Sequence, residues 1–301
     1  MQLTILGCHS ATPRENKHTT SQLLEVKEHL FLIDCGEGTQ IQLRKTKVKF
    51  SRIQHIFISH LHGDHFYGLI GLISTFRLLG RTSPLTIYGP IGIKEIITLQ
   101  LKHAKSWTNY PLLFHELSSK TSEVIFEDKS IRIETLPLDH RIYTNGFLFS
   151  TVTTKRKVNA NKLTPFNLQP FQFQQLQKGE TITLDDGKVL ENEIYTTDPE
   201  GSKRYAYCSD TAYFEPLIPL IKEVDLLYHE STFIETNSEL AKKTKHSTAL
   251  QAATIANKAM VKKLILGHFS NRYPDKKIFI EEASKVYENV ILAEDLKTFS
   301  I

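Results

Sequence analysis

Three histidines and an aspartate lie within six residues, in the segment His60-Leu61-His62-Gly63-Asp64-His65. Imidazole nitrogens and a carboxylate are ligands that suit zinc. The segment directly follows an apolar run, Gln54–Ser59, where several titratable side chains would be costly to bury without a metal ion or other partners. The segment therefore predicts a metal site at the end of a strand and, with it, hydrolysis of an ester or amide bond.

Three more candidate ligands lie far along the chain, each one or a few residues after an apolar run: His140, Asp210 and His268. A sheet delivers the residues that follow its strands to a shared rim, so these side chains are expected beside the first group. Each of them alone has an ordinary explanation, since a single Asp after a strand is usually a turn residue. Four ligands on one tight turn cannot complete two coordination spheres, so we expect these three to contribute.

Short apolar runs alternate with turn signals and helical stretches along the chain, which is typical of an α/β protein. Because strands and helices mix without a strict βαβ order, we expect two sheets flanked by helices. The predicted strands are Leu3–Leu6, a hairpin of Ser21–Val26 and Leu30–Ile33, Gln54–Ser59, Leu85–Tyr88, Ser130–Pro137, Gly146–Val152, Arg204–Cys208, Val224–Tyr228, Lys263–Leu266 and, as the last strand, Val290–Ala293. The predicted helices are Tyr67–Leu79, Ile91–Lys105, Ser247–Lys258 and Ile278–Lys285.

The segment of residues 153–201 interrupts this order. It is rich in Gln, Lys, Asn and Thr, with little core periodicity, and predicts an insertion that protrudes from a single domain of residues 1–301. No Asp or Glu occurs from His140 to Gly179, where the basic residues are Arg141, Lys155, Arg156, Lys157, Lys162 and Lys178. Such a stretch is either a solvated basic surface or a contact for an anionic partner such as nucleic acid.

Composition excludes several classes of protein. The 301 residues carry a net charge of +4 and are 40% hydrophobic, as in ordinary globular proteins. Three cysteines without a C-x-x-C pair argue against a disulfide framework. The N-terminus lacks the pattern of a signal peptide, and no apolar stretch approaches the length that spans a bilayer. We therefore expect a cytoplasmic protein without membrane contact.

The arrangement of the candidate ligands resembles the metallo-β-lactamase fold over nearly the whole chain. This resemblance implies an αββα sandwich of two mixed sheets flanked by helices, with a protruding arm, and two zinc ions per subunit. One ion would be bound by His60, His62 and His140, the other by Asp64, His65 and His268, with Asp210 bridging them. Asp34, which follows the run Leu30–Ile33, matches the Asp that supports the site from behind its ligands, and a strand-end cap is an equal alternative.

Five segments are similar, in order along the chain, to signatures of the ribonuclease Z family. They are Asp34–Gln40, His60–His65, Tyr228–Phe233, Lys245–Thr248 and Gly267–Tyr273. The resemblance implies an endoribonuclease that hydrolyses the phosphodiester at the 3′ end of precursor tRNA, removes the 3′ trailer and leaves a 3′-hydroxyl. Asp64 would orient or deprotonate the attacking water. His246, paired with Glu230, would steady the phosphate charge or protonate the leaving oxygen.

The same resemblance implies how tRNA is bound. Residues 153–201 fall where ribonuclease Z carries an arm that clamps the body of the tRNA, and Lys155, Arg156 and Lys157 are its candidate contacts. Arg272 is a candidate contact for a phosphate, with a surface salt bridge as the alternative. Members of the family are commonly homodimers in which the arm of one subunit serves the site of the other, so we expect a homodimer.

Two other functions are compatible with the metal ligands. The first is another binuclear-zinc hydrolase of the same fold, a phosphodiesterase or arylsulfatase-like enzyme for small substrates. The basic insertion and the pair of Glu230 and His246 speak against it. The second is a metal-stabilised RNA-binding or dimer-scaffolding protein without activity. Such proteins can lose ligands, whereas every expected ligand position is occupied here.

Overall fold

The computed structural model of the protein describes residues 1–152, 155–199 and 201–301. The chain divides into two compact units. The larger unit consists of residues 1–127, 131–150 and 203–301, and the smaller unit of residues 128–130 and 151–202. The predicted first residue of the insertion, Thr153, lies outside the described residues.

The first sheet of the larger unit has seven strands in the order β18-β1-β2-β3-β4-β5-β6. Its strands are β1 (Gln2–Gly7), β2 (Ser21–Val26), β3 (His29–Ile33), β4 (Ile53–Phe57), β5 (Leu85–Pro90), β6 (Leu112–Leu117) and the C-terminal β18 (Thr298–Ser300). Pairing is antiparallel from β18 to β3 and parallel from β3 to β6. The helices of this half are α1 (Thr39–Lys45), α2 (Gly63–Phe66), α3 (Leu69–Leu78) and α4 (Ile93–His103).

The second sheet also has seven strands, in the order β17-β16-β15-β14-β9-β8-β7. They are β7 (Val124–Glu127), β8 (Ile131–Pro137), β9 (Asn145–Thr151), β14 (Arg204–Cys208), β15 (Leu226–Glu230), β16 (Leu264–Gly267) and β17 (Val290–Leu292). Strands β14 to β17 are parallel. The helices here are α8 (Ser238–Thr244), α9 (Ala249–Lys258) and α10 (Lys277–Ala283), and short 3-10 helices lie at Phe50–Arg52, Glu215–Leu217 and Glu235–Asn237.

The smaller unit has short elements and a small core of its own. Its elements are β10 (Lys157–Val158), α5 (Ala160–Leu163), α6 (Pro170–Lys178), β11 (Ile182–Thr183), β12 (Val189–Leu190), α7 (Asn192–Tyr195) and β13 (Thr196–Thr197). Strand β10 pairs with β13, and β11 with β12. The buried core residues are Leu163, Leu176, Ile182 and Leu190. These four residues are too far apart in the sequence to produce a periodic pattern. The sequence of residues 153–201 therefore shows little of the periodicity that is typical of core elements.

Strand β3 illustrates why the sandwich forms. Phe31 and Ile33 lie in the core between the two sheets, where the Phe31 ring is 5.9 Å from the ring of Phe149 on β9. Leu30 and Leu32 lie in a separate apolar cluster with the helices on the outer face of the first sheet. Successive side chains of a strand point to opposite faces, so a strand buried on both faces reads as a continuous apolar run.

The predicted fold class, two mixed sheets flanked by helices, is confirmed. The prediction that Val290–Ala293 is the last strand is wrong, because β18 follows it and pairs with β1. Strands β6 and β7 were not predicted either. These three strands lie at the edges of the two seven-stranded sheets, where one side of the strand is solvated and the apolar pattern is weak. Within the described residues, no helix is long and apolar enough to cross a bilayer.

Candidate metal centre and active site

The candidate ligands come from the segments that follow four strands of the larger unit. His60 follows β4, and α2 contains Asp64 and His65. His140 follows β8, Asp210 follows β14 and His268 follows β16. Gly63, the first residue of α2, leaves room for the ring of Tyr67, because a Cβ atom there would lie 2.2 Å from that ring. The two sheets thus bring to one rim residues that are more than 200 positions apart.

Four ligand atoms form a first group. His62 Nδ1 lies 3.0 Å from His60 Nε2 and 3.2 Å from His140 Nε2. Asp210 Oδ2 lies 3.5 Å from His60 Nε2 and 3.9 Å from His140 Nε2. A tetrahedral zinc ion, with ligands at about 2.0–2.1 Å, holds its ligand atoms about 3.3 Å apart. The spacing of these four side chains therefore fits one metal ion.

A second group lies on the other side of Asp210. His65 Nε2 and His268 Nε2 are 3.2 Å apart, and Asp64 Oδ2 lies 3.4 Å from His268 Nε2 and 3.7 Å from His65 Nε2. Asp210 Oδ1 lies 3.3 Å from His65 Nε2 and 3.2 Å from His268 Nε2. This oxygen is buried without a hydrogen-bond partner among the described residues. Such an atom needs a partner, and a cation between the ligands fits that requirement.

Asp34 fixes the orientation of His65. Its buried carboxylate accepts hydrogen bonds from His65 Nδ1 at 2.8 Å, from the backbone N–H of Ser59 at 2.7 Å and from Ser59 Oγ at 2.8 Å. Tyr207 donates to the same carboxylate. With the proton on Nδ1, the Nε2 atom of His65 is free to act as a ligand. Asp34 thus caps the segment after β4 and also orients a candidate ligand.

Two other histidines are oriented in the same way. His140 Nδ1 donates to the carbonyl of Lys245 at 2.7 Å, which leaves Nε2 as its acceptor. His268 Nδ1 lies 2.8 Å from Thr232 Oγ1. Hydrogen bonds of this kind set the tautomer and the ring direction of metal-binding histidines.

The charges of the centre favour a cation. Burial lowers the pKa of His60 to about 4 and also lowers the pKa values of His62 and His140, so these rings are neutral near pH 7. Burial acts in the same direction on His65, but the surrounding carboxylates, Asp210 foremost, outweigh it and raise its pKa well above the usual range. Carboxylates that hold a proton on a buried imidazole also attract a divalent cation.

Glu230 and His246 form a buried pair beside these ligands. Glu230 Oε1 accepts from His246 Nδ1 at 2.9 Å and from the backbone N–H groups of Thr211 and Ser247, both at 3.1 Å. Glu230 Oε2 accepts from the backbone N–H and the hydroxyl of Thr232. Burial alone would lower the pKa of His246, but the Glu230 carboxylate raises it to about 9. His246 is therefore protonated near neutral pH, with Nδ1 held by Glu230.

A cavity of about 560 Å³ opens onto the centre. Among the candidate site residues, the cavity lining includes His62, Asp64, Asp210, His246 and His268. The lining also includes Ala11, Tyr67 and Phe233, which were not predicted as site residues, and Arg141, which was predicted only as part of the acid-free basic stretch. The sequence positions of two of these residues could have indicated that they line the site, because Arg141 directly follows His140 and Tyr67 comes two residues after His65.

Ala11 had no such signal. Its backbone N–H donates to Asp64 Oδ2 at 2.7 Å, and any residue except proline supplies that group.

Four predicted substrate contacts lie elsewhere. Arg272 is exposed and is not among the residues that line the cavity. Lys155, Arg156 and Lys157 belong to the smaller unit. The guanidinium of Arg156 donates to Thr196 Oγ1 at 2.7 Å and forms an ion pair with Asp198, so it has partners within its own unit.

The chain was compared with known protein families and sequences. A family model described as Anti-Pycsar protein Apyc1 matches residues 1–154, the half that contains the His60–His65 segment and His140. Ribonuclease Z from Phocaeicola vulgatus is 44% identical over 300 residues, which cover 100% of this chain and 97% of that protein. Ribonuclease Z from Bacteroides fragilis is 44% identical over 294 residues, which cover 98% of this chain and 97% of that protein.

Solved structures agree with these relatives. Human tRNase Z, short form, superposes with a TM-score of 0.73 at 28% identity and covers 100% of this chain and 99% of its own. The metallo-β-lactamase fold protein YhfI from Bacillus subtilis superposes with a TM-score of 0.70 at 18% identity over 99% of both chains, which supports the fold alone. Since the ribonuclease Z relatives match both the half with the His60–His65 segment and the half with Glu230, His246 and His268, the chain belongs to the ribonuclease Z family.

Proposed function

We propose that this chain is a zinc-dependent endoribonuclease that hydrolyses the phosphodiester at the 3′ end of precursor tRNA and leaves a 3′-hydroxyl. One observation carries the proposal beyond family membership. The buried carboxylate of Asp210 directs one oxygen to each ligand group, and His246, which Glu230 holds, lines the cavity that opens onto both groups. A pair of metal sites beside a proton donor is the arrangement that phosphodiester hydrolysis requires.

Two zinc ions per subunit form part of the proposal. The first group, His60, His62 and His140, would hold one ion, and the second group, Asp64, His65 and His268, the other, with Asp210 shared. Nitrogen and carboxylate ligands at this spacing favour zinc. Divalent ions at these positions supply Lewis-acid chemistry, which polarises the phosphoryl group and makes water more acidic.

Asp64 would orient the attacking water. Burial alone would raise its pKa, but His65 and His268 outweigh burial and hold the pKa below the usual range for a carboxyl group. A carboxylate with so low a pKa stays ionised near neutral pH, so it can accept hydrogen bonds but is a weak base. The backbone N–H of Ala11 donates one hydrogen bond to Asp64 Oδ2. Because Asp64 also lines the cavity, its carboxylate can accept a further hydrogen bond from a water there.

His246 would supply the proton for the leaving group. Hydrolysis forms a bond from a water oxygen to phosphorus and breaks the bond from phosphorus to the 3′ oxygen, which then takes up a proton. A histidine held protonated by Glu230 is suited to donate that proton. The trailer keeps the phosphate at its 5′ end, and the tRNA keeps the 3′-hydroxyl.

The smaller unit would bind the body of the tRNA as an arm inserted in one domain of residues 1–301. Lys155, Lys157 and Lys162 give this unit basic side chains for the phosphate backbone. Arg156 contributes less in this proposal, because Asp198 already neutralises it. The homodimer rests on family membership and stays a prediction. A precursor-tRNA substrate would place the reaction in the cytoplasm.

Cleavage of a precursor tRNA tests the proposed function. We expect the chain, incubated with zinc and a precursor tRNA, to cut once at the 3′ end of the mature sequence, as mapped to the nucleotide. Asp64→Ala should reduce the rate by at least about 10³-fold, since Asp64 would serve both metal and water. Small model phosphodiesters cut with the precursor left intact would indicate the small-substrate hydrolase. Binding of the precursor without scission would indicate the non-enzymatic RNA-binding protein.

Replacement of His246 tests the proton donor. His246→Ala should lower kcat by about 10²–10⁴-fold, the usual contribution of general acid catalysis. Zinc content should not change, because His246 belongs to neither of the two proposed ligand groups. The matched control is His103→Ala, an exposed histidine at the end of α4, which should leave kcat unchanged. Loss of zinc in parallel with kcat would instead make His246 a ligand.

A double substitution in the smaller unit tests the arm. Lys155→Ala with Lys157→Ala should weaken tRNA binding and reduce the slope of log affinity against log salt by about 1.4–1.8, because each phosphate contact contributes about 0.7–0.9. Lys222→Ala with Lys285→Ala removes two exposed lysines of the larger unit and serves as the control. Equal slopes for the two double variants would contradict a role of these lysines in binding tRNA.

A further inference from the structure

Arg141 is a cation at the centre that the proposed reaction does not use. It is exposed, directly follows the candidate ligand His140 and lines the cavity together with His62 and His246. The ring of His140 is 5.0 Å from the ring of His246, so the segment that carries Arg141 lies on the side of the centre where His246 lies.

No carboxylate of the described part of the chain lies within ion-pair distance of the Arg141 guanidinium. The nearest acidic residue in the sequence, Asp139, has both oxygens engaged by Lys245 Nζ, at 2.8 and 2.9 Å. Asp210 is enclosed by the histidines of the centre. Arg141 therefore presents an uncompensated positive charge to whatever enters the cavity, and an anionic group is the expected partner.

We propose that Arg141 binds the phosphate immediately 5′ of the scissile phosphate, between the last two nucleotides of the mature tRNA. This inference rests on the proposed function. The leaving 3′ oxygen receives its proton from His246, and it belongs to the nucleotide on the 5′ side of the cut. The backbone 5′ of the cut therefore lies on the side of His246, and that is the side of Arg141.

Apart from the candidate ligands and His246, the charged residues that line the cavity in the described part of the chain are Arg141 and Glu37. Glu37 is an exposed carboxylate in the lining of the same cavity, and it would repel phosphate wherever the strand passed close to it. The guanidinium of Arg141, in contrast, offers N–H groups in a planar fork that matches two phosphate oxygens. Arg141 would thus position the strand by a two-pronged contact, which a lysine can replace only as a point charge.

The test combines an arginine variant with a substrate that lacks one charge. KM and kcat are measured for the zinc-loaded enzyme, its Arg141→Ala and Arg141→Lys variants, and the control Arg132→Ala, which removes an exposed arginine held by Glu127 and Glu134. Each is assayed on a precursor tRNA and on the same RNA with a neutral methylphosphonate at the phosphate 5′ of the cut. A third RNA carries the methylphosphonate two positions 3′ of the cut.

We expect Arg141→Ala to raise KM about tenfold on the unmodified precursor, as for loss of one charge-assisted contact, with kcat within about threefold of the wild type. Arg141→Lys should recover part of the loss, and Arg132→Ala should match the wild type. On the RNA that is neutral at the 5′ phosphate, the wild type and Arg141→Ala should have equal KM. On the RNA modified 3′ of the cut, the tenfold difference should persist.

A tenfold penalty for Arg141→Ala on the RNA that is neutral at the 5′ phosphate would overturn the inference. So would a fall in zinc content with KM unchanged, since Arg141 would then support the metal centre. Wild-type enzyme that does not cut the precursor would overturn the proposed function and this inference with it. Wild-type cleavage at the correct nucleotide, with no effect of Arg141→Ala on KM, would overturn this inference alone.

Discussion

The buried carboxylate of Asp210 is the constraint on which the rest of the site depends. Desolvation of an isolated carboxylate is costly, so a buried carboxylate needs positive charge beside each of its oxygens. Burial would raise its pKa, but the imidazoles around it, those of His268, His65 and His60, hold the pKa well below the usual range. One oxygen faces each ligand group. A single side chain thereby joins residues from the two halves of the chain into one centre.

The scaffold must bring four strand ends together around that carboxylate, and it does so at the cost of some backbone strain. Asp34 and His268 both have left-handed backbone conformations, with φ of 54° and 60°, which residues other than glycine rarely adopt. Both are held there by contacts within the site. The carboxylate of Asp34 accepts hydrogen bonds from Ser59, His65 and Tyr207, and His268 is fixed by Thr232. Strained residues of this kind concentrate at functional sites.

The candidate ligands that the structure brings together could be identified from the sequence because each lies at the end of an apolar run. The four side chains of His60–His65 share one turn, and His140, Asp210 and His268 each follow an apolar strand. The Asp34–His65 contact was anticipated only as one of two equal alternatives, since a strand-end aspartate looks the same whether it caps the backbone or orients a histidine. In the structure, Asp34 both caps the backbone at Ser59 and orients His65.

Other parts of the molecule depend on contacts that leave little pattern. Strand β18 is a three-residue edge strand whose identity comes from pairing with β1. The core of the smaller unit joins Leu163 to Leu190 across several turns. Ala11 contributes a backbone N–H, which no residue type or spacing distinguishes before the strands are assembled. Arg141 is marked in the sequence only by its basic charge and its place directly after His140.

The measurement that tests the central claim most directly is the zinc content of the wild type and of Asp210→Asn. The substitution preserves the shape of the side chain and removes the charge that both ligand groups share. The wild type should retain two zinc ions per chain after dialysis, and a folded Asp210→Asn variant should retain fewer than one. Two ions per chain in the variant, or fewer than two in the wild type, would contradict a centre organised around Asp210.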